Sequence, residues 1–283
     1  MPFIKTSIAK LHYQEYGTGS KVMLAFHGFG MKGTQFGLME PYLGKHYKIY
    51  SFDLFFHGDT VLHNESLPQI REGITSAGFA ELIITFIKEK ELEQQPLTLL
   101  SYSIGARFAL ALLQELPQMI SGVYFIAPDG IEPNKLLVSA AENRLINRSF
   151  WKLVSSPKTV NFLLRALRKT RYIDDSLERI LSREFETHES RLACYNTITY
   201  LKKLSFDRER LARLMNDHAI EIRMYFGQHD KLFPPSIGER FRNLVPHTYL
   251  HIFDEGHELV NTALCKVMEE ELENRMSLNY DQR

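Results

Sequence analysis

The 283-residue sequence predicts an α/β protein with a mostly parallel central sheet and helices on both faces. Short apolar runs alternate with helical patterns in residues 1–130, and this alternation resumes in residues 219–283. Between them, residues 131–218 show charged helical patterns without strand-like runs. Strands that are buried on both faces of a parallel sheet give continuous apolar runs of this kind. We therefore expect one sheet domain that is interrupted by a helical insertion.

The first part of the sheet domain opens with residues 7–17, in which polar and apolar residues alternate. This period of two predicts an antiparallel strand that ends in a turn at Gly17 and Gly19. The following pattern predicts strands over 21–28, 47–53, 96–103 and 121–129, and helices over 72–90 and 104–116. The second part of the domain predicts strands over 219–230 and 247–257, with helices near 235–243 and 257–275.

Composition and charge exclude several classes of protein. The formal net charge is zero, and charged residues make up 24% of the chain, so bulk charge gives no reason to expect a nucleic-acid partner. The two cysteines, Cys194 and Cys265, form no CxxC pattern, which argues against a zinc site and a disulfide framework. The sequence has no signal-peptide pattern and no apolar run of about 18 residues. We expect a soluble, cytoplasmic protein without an integral membrane segment.

The segment "SYSIGA", residues 101–106, joins a predicted strand directly to a predicted helix. Ser103 has a small residue two positions before it and two after it, Ser101 and Gly105. So abrupt a turn strains the backbone of its central residue, lifts that side chain above the sheet and leaves room only for small neighbours. Ser103 is therefore a candidate nucleophile, although serines at this position could also simply cap the helix.

The segment "HGFG" ends the strand at 21–28 and places glycines beside Phe29. Such a loop can direct a backbone N–H group toward a reacting carbonyl oxygen. The expected donors of an oxyanion hole are the N–H groups of Phe29 and Ile104. The alternative is a plain glycine-rich turn, and His27 is expected to be a structural hydrogen-bonding residue.

A serine nucleophile needs a base, and the two strands at the end of the chain supply candidates. Asp230 ends one strand and His257 ends the next. Histidine titrates in the required range, and a buried carboxylate fixes its tautomer and stabilises its charged form. The chain order Ser103, Asp230, His257 is the order that accompanies this kind of strand-to-helix turn.

Together these motifs make the sequence resemble the α/β-hydrolase superfamily over nearly its whole length. They are "HGFG", "SFDLFFHGDT", "SYSIGA", "FGQHDKLFPP" and "FDEGHELV". The resemblance implies a hydrolase core in residues 1–130 and 219–283, with a helical cap domain at 131–218 above the active site. The chain departs from the usual pattern at Ser101, where glycine is common, and at Phe56-His57-Gly58, where the family has Gly-His-Gly.

Asp129 and Arg107 offer alternatives to these role assignments. Below, the strand-to-helix turn at Ser103 is called the elbow, and the helix that follows it the elbow helix. Asp129 also ends a strand, and some members of the superfamily take their acid from this position, although Asp230 matches the more common arrangement. Arg107 lies in the first turn of the elbow helix, where it could pair with a neighbouring strand end or bind a substrate carboxylate. The run "SYSIGAR" resembles the lyase that makes succinyl-hydroxycyclohexadiene carboxylate, which uses the same three residues to remove a proton.

The predicted cap is net basic and the remainder of the chain is net acidic. A run without acids comprises Arg144, Arg148, Lys152, Lys158, Arg165, Arg168, Lys169 and Arg171. This run either forms a solvated helical face or attracts anionic substrates or acidic lipid surfaces. Aromatic and aliphatic residues around Trp151 are expected to pack the cap or to line an apolar pocket. Such a pocket suits a small-molecule substrate with an acyl chain or an aromatic ester.

Three hypotheses follow for the function. The first is a serine hydrolase that cleaves a carboxylic ester or a related acyl substrate through an acyl-enzyme, with no metal or cofactor. The second is a lyase of the succinyl-hydroxycyclohexadiene carboxylate synthase type, with His257 as base and Arg107 as carboxylate clamp. The third is a non-catalytic binding protein on the same fold.

Overall fold

A single mixed sheet forms the centre of the computed structural model, which describes residues 2–132, 135–156, 182 and 185–281. Its strands among these residues are β1 (Phe3–Lys5), β2 (Ala9–Tyr16), β3 (Lys21–Phe26), β4 (Tyr47–Phe52), β5 (Val61–Leu62), β6 (Leu97–Tyr102), β7 (Ile120–Ile126), β8 (Glu221–Gly227) and β9 (Tyr249–Phe253). The order is β1-β2-β4-β3-β6-β7-β8-β9, with β5 beside β2. All neighbours from β4 to β9 are parallel, whereas β2 pairs antiparallel with β1, β4 and β5. The predicted fold class is confirmed.

The helices among the described residues follow the predicted alternation. They are α1 (Glu40–Leu43), α2 (Leu67–Glu72), α3 (Ser76–Glu89), α4 (Gly105–Glu115), α5 (Lys135–Glu142), α6 (Arg144–Val154), α7 (His188–Tyr200), α8 (Arg208–Asp217), α9 (Ser236–Arg242) and α10 (Thr262–Asp281). The helix predicted over 72–90 begins later, at Ser76, because Gly73 ends α2 at a φ of +80°. Thr75 then caps α3 by accepting a hydrogen bond from the Gly78 N–H at 3.1 Å. The last helix likewise begins five residues later than predicted.

The two faces of the sheet are both buried under helices. Successive residues of a strand point to opposite faces, so Leu99 of β6 joins one apolar cluster and Leu100 joins the other. The first cluster includes residues of α3, α4, α8 and α9, and the second includes residues of α1 and α10. The carboxyl ends of β3, β6, β7 and β8 therefore meet at one edge, where loop residues can assemble a site.

Helices α5, α6 and α7 pack against one another in the predicted cap region. A buried amide joins α6 to α7: Asn147 donates to the Thr199 hydroxyl at 3.0 Å and accepts from the Tyr195 hydroxyl at 2.6 Å. Helix α8 contacts α4 of the sheet domain instead. The division into residues 1–130, 131–218 and 219–283, with a cap at 131–218, stays a prediction.

Part of the predicted basic run, from Lys158 to Arg171, lies outside the described residues. The described part, Arg144, Arg148 and Lys152, is exposed on α6. Among the described residues, no helix is both long enough and apolar enough to cross a membrane.

Candidate active site

Ser103 lies at the sharp turn between β6 and α4, as the sequence predicts. Its φ is +52°, a left-handed conformation that is unfavourable for a serine by roughly 1–2 kcal/mol. Two backbone hydrogen bonds maintain it: the Ser103 N–H donates to the Ile126 carbonyl at 2.9 Å, and the Asp129 N–H donates to the Ser103 carbonyl at 3.0 Å. The neighbouring end of β7 thus supports the strained turn.

Close approach between β3 and the start of α4 explains the glycine after Ser103. A Cβ atom on Gly105 would lie 2.1 Å from the Phe26 carbonyl oxygen and 2.6 Å from that of His27. No side chain fits there without moving the backbone. Ser101, where the family commonly has glycine, is fully buried, and the turn forms with this small side chain.

The side chains of Ser103, His257 and Asp230 form a continuous chain of two hydrogen bonds. Ser103 Oγ lies 3.0 Å from His257 Nε2, and His257 Nδ1 lies 2.7 Å from Asp230 Oδ2. All three residues are buried, with exposures of 7%, 3% and 2%. An ionised carboxylate can only accept, so Nδ1 carries the imidazole proton and Nε2 is left to accept the serine proton.

The carboxylate of Asp230 is oriented by its own loop after β8. Its Oδ1 accepts hydrogen bonds from the Leu232 N–H at 2.8 Å and from the Phe233 N–H at 3.0 Å. The second oxygen, Oδ2, is thereby directed at His257. The Tyr102 hydroxyl donates to the His257 carbonyl at 3.0 Å, which connects the loop after β9 to the elbow.

The "HGFG" loop lies against the elbow. A Cβ atom on Gly28 would lie 2.4 Å from the ring of Tyr102, so the glycine allows the loop to approach β6 closely. Within the part of the chain that the structure describes, neither the Phe29 N–H nor the Ile104 N–H donates a hydrogen bond. Both groups are available to an incoming acceptor, and their role as oxyanion donors stays a prediction.

Two buried histidines contact the backbone of this loop: His27 is its first residue, and His57 lies with its ring 5.3 Å from that of His27. Burial lowers the pKa of His27 to about 3, and burial likewise lowers the pKa of His57. Both are neutral at pH 7, so neither is suited to proton transfer there. In the sequence, His57 stands out only as part of the unusual motif Phe56-His57-Gly58. The signal that could have found it is that "HGFG" and "FFHGD" both follow strands ending at the same edge.

Asp53 is a buried carboxylate that organises the loop after β4. It accepts hydrogen bonds from the N–H groups of Gly33 and Asp59, each at 2.7 Å, and from His12 at 2.8 Å. These bonds lower the pKa of the Asp53 carboxyl against the opposing effect of burial. Among the described residues, His12, Asp53 and Asp59 bring three potential metal ligands within 4.8 Å of one another. Asp53 already uses both of its oxygens in protein hydrogen bonds, which makes the group an internal network.

Asp129, the alternative acid, is engaged by Arg107. The Arg107 Nε donates to Asp129 Oδ2 at 2.6 Å, and one terminal nitrogen lies 3.3 Å from Oδ1. Both side chains are buried. The ion pair accounts for the burial of Arg107, whose contact with substrate stays a prediction.

Trp151 belongs to α6 and is half-buried. Its ring lies 4.8 Å from that of Tyr195, edge to face, and the Phe150 ring contacts the same tyrosine at 5.5 Å. Trp151 therefore packs within the helical segment, and its contribution to substrate binding stays a prediction.

Comparison with known proteins agrees with this architecture. A family profile described as the alpha/beta hydrolase fold matches residues 21–262. No curated protein matches the chain closely enough in sequence to count as a relative. The solved structures that resemble it include a thermophilic esterase from Thermogutta terrifontis, with a TM-score of 0.65 and 16% identity over 100% of this chain and 98% of the esterase.

Two other solved structures are similar. One is from work on carboxylesterases of the thaumarchaeon Nitrososphaera gargenis, with a TM-score of 0.69 and 13% identity over 100% of both chains. The other is described as a bacterial membrane phospholipase A, with a TM-score of 0.67 and 18% identity over 96% of this chain and 85% of that one. Identities this low show a shared fold, and the family match covers most of the sequence. The chain therefore belongs to the alpha/beta hydrolase fold family.

Proposed function

We propose that the protein is a serine hydrolase that cleaves a carboxylic ester or a related acyl substrate. The observation that carries the proposal is the hydrogen-bonded chain from Ser103 Oγ through His257 to Asp230. His257 Nε2 accepts the serine proton while Oγ attacks the acyl carbonyl carbon. The imidazolium that forms lies beside Asp230, which stabilises its positive charge. It then protonates the leaving group, so that an acyl-enzyme remains.

The second half of the reaction uses the same groups with water as nucleophile. His257 takes a proton from the water, which attacks the acyl carbon, and then returns a proton to Ser103 Oγ as the acid product leaves. In both halves the carbonyl oxygen becomes negative. The N–H groups of Phe29 and Ile104 are proposed to bind that oxygen, with the start of α4 adding a favourable dipole. Fixed donors of this kind contribute roughly 3–4 kcal/mol each to the transition state.

The side chains beside the three residues favour an apolar acyl or aromatic group on the substrate. The Phe233 ring lies 5.6 Å from the His257 ring, Ile104 directly follows Ser103, and Phe29 directly follows Gly28, which lies against the Tyr102 ring. Apolar side chains around a few directed polar groups are typical of small-molecule sites. The esterase and carboxylesterase descriptions of similar structures support an ester as the substrate class.

The lyase alternative depends on Arg107 as a free clamp for a substrate carboxylate. In the structure this guanidinium is paired with Asp129, which already neutralises its charge. The ion pair therefore favours the hydrolase over the lyase.

The experiment that tests the proposal measures hydrolysis of p-nitrophenyl esters and acyl-CoA thioesters of increasing acyl length. We expect the wild-type protein to turn over at least one of these series, and we expect Ser103→Ala to lose that activity. Thermal unfolding of both proteins shows whether the variant is folded. A folded Ser103→Ala protein that keeps its rate contradicts the mechanism, whichever ester is preferred.

A further inference from the structure

The two peptide units on either side of Phe29 are each fixed by a buried imidazole. His27 Nδ1 lies 2.7 Å from the Gly28 carbonyl oxygen, and the Gly30 N–H donates to His57 Nε2 at 3.0 Å. The Gly28 carbonyl and the Phe29 N–H belong to the same peptide unit. Because that unit is planar and trans, its C=O and N–H point in opposite directions. Fixing the carbonyl therefore fixes the direction of the N–H.

The hydrogen-bond partners determine the protonation of both rings. A carbonyl oxygen only accepts, so His27 Nδ1 donates to Gly28, and its Nε2 accepts from the Leu54 N–H at 2.9 Å. His57 repeats the pattern: Nδ1 donates to the Phe55 carbonyl at 2.8 Å, and Nε2 accepts from Gly30. Each ring is neutral, with both nitrogens engaged between the loops after β3 and β4. A proton added to either Nε2 would face the backbone N–H that now donates to that nitrogen, and the hydrogen bond would be lost.

We propose that His27 and His57 are positioning residues that aim the Phe29 N–H at the oxyanion of the transition state. This inference rests on the proposed function, in which that N–H binds the negative oxygen. His57 also contacts Phe29 directly, with the two rings edge to face at 5.4 Å. His27 is fully buried and His57 is 8% exposed, so neither ring has room to reorient.

The fixed direction of the Phe29 N–H matters because an oxyanion hole works through donors that need no reorganisation during the reaction. Such donors must stay within about 0.5 Å and 10–20° of the productive geometry. A loosened Phe29 peptide should weaken binding of the transition state more than binding of the substrate. Such a defect lowers kcat and leaves KM nearly unchanged.

The test compares two substitutions at His57. His57→Gln offers a side-chain oxygen to the Gly30 N–H, whereas His57→Phe keeps an aromatic ring and offers no acceptor. We expect His57→Phe to lower kcat by roughly 10- to 100-fold, with KM within about twofold of wild type. His57→Gln should keep most of the wild-type kcat, because its side-chain oxygen can still accept from the Gly30 N–H. His63→Phe, a change at an exposed histidine, is the control and should leave kcat unchanged.

A boronic acid inhibitor provides a second readout. Its tetrahedral adduct on Ser103 places an oxygen at the oxyanion position, so its affinity should fall in His57→Phe by the same factor as kcat. The matched pair at His27 should behave in the same way. We expect kcat and boronate affinity to fall more in His27→Leu than in His27→Asn, because asparagine can still donate to the Gly28 carbonyl. If His57→Phe does not fold, His57→Leu, which also offers no acceptor, takes its place.

Three outcomes overturn the inference. A folded His57→Phe that keeps both kcat and boronate affinity shows that the ring does not position the donor. Equal losses in His57→Gln and His57→Phe show that the acceptor atom is not what matters. A wild-type protein that hydrolyses no ester and binds no boronate contradicts the proposed function itself, and is distinguished from the first two outcomes by the inactivity of the wild type.

Discussion

Substitution of Asp230 by asparagine separates the electrostatic role proposed for this residue, as the acid that pairs with His257, from its structural role. Asparagine retains one oxygen that can accept from the Leu232 and Phe233 N–H groups, as Asp230 Oδ1 does. Its amide NH₂ then faces His257 Nδ1 in place of Oδ2. Nδ1 must accept, so the imidazole proton moves to Nε2, where it faces Ser103 Oγ. An Nε2 that carries a proton cannot take another from serine.

The size of the effect follows from the geometry. The carboxylate lies 2.7 Å from the ring nitrogen. The charges of a carboxylate and an imidazolium are spread over several atoms, so their centres lie about 4 Å apart. At an effective dielectric constant of about 20, two charges at that separation attract by about 4 kcal/mol. Loss of that attraction for the imidazolium corresponds to about 10³-fold in rate, and the wrong tautomer brings the expected loss in kcat to roughly 10³–10⁴-fold. The melting temperature should stay within about 3 °C of wild type, because the hydrogen bonds of the loop are retained.

Asp129→Asn is the matched control, because Asp129 is the other strand-end acid beside the elbow. Asp129 is 1% exposed, and its carboxylate pairs with the buried Arg107. Neutralising it leaves a buried guanidinium without its charge partner, which should lower the free energy of unfolding by about 3–5 kcal/mol. We expect kcat to fall less than about tenfold at a temperature where the variant is folded. Ester hydrolysis and urea unfolding of both variants test this. A large loss of kcat in Asp129→Asn alone would refute the assignment of Asp230.

Three further predictions concern stability. Ser103→Gly should be more stable than Ser103→Ala by about 1 kcal/mol in urea unfolding, because φ is +52° and glycine adopts it without strain; equal stabilities would contradict the strained elbow. Gly105→Ala should lower stability by more than about 2 kcal/mol and abolish hydrolysis, since its Cβ would lie 2.1 Å from the Phe26 carbonyl; a wild-type melting temperature would argue against the close approach. His27, with its pKa lowered from 6.5 to about 3, remains neutral in the folded state while the unfolded chain gains a proton as the pH falls. The free energy of unfolding should therefore decrease from pH 6.5 toward 3 by up to about 1.4 kcal/mol per pH unit. In urea unfolding measured at a series of pH values, His27→Asn should lack this contribution to the pH dependence.

The parts of the fold that the sequence predicts best are those with strong periodicity. Strand β6 and helix α4 appear where their apolar patterns place them, because each buries nearly every residue. Helix ends were predicted less well. The start of α3 at Ser76 depends on a capping hydrogen bond that the Gly78 N–H donates to Thr75, and the apolar spacing within 72–90 does not mark that position.

The residues of the candidate site were predicted from the ends of strands, and the structure brings Ser103, Asp230 and His257 within hydrogen-bond distance. The sequence does not predict the hydrogen-bond network that supports the "HGFG" loop. His57 and Asp53 contact residues 20 or more positions away in the chain, through single hydrogen bonds to backbone N–H groups. Such bonds leave no periodic pattern, and only the packing of two strand ends brings the groups together. The sequence leaves two options open for Arg107, a neighbouring strand end or a substrate carboxylate. It cannot decide between them, because only the folded chain brings Asp129 within 2.6 Å of Arg107.

Reaction of the folded protein with a fluorophosphonate, followed by peptide mass spectrometry, tests directly whether Ser103 is the activated nucleophile. We expect a single adduct on the peptide that contains Ser103, and a labelling rate that falls steeply in His257→Gln. A protein that is labelled at another serine, or that is labelled at Ser103 equally fast without His257, would contradict the claim that this hydrogen-bonded chain activates the nucleophile.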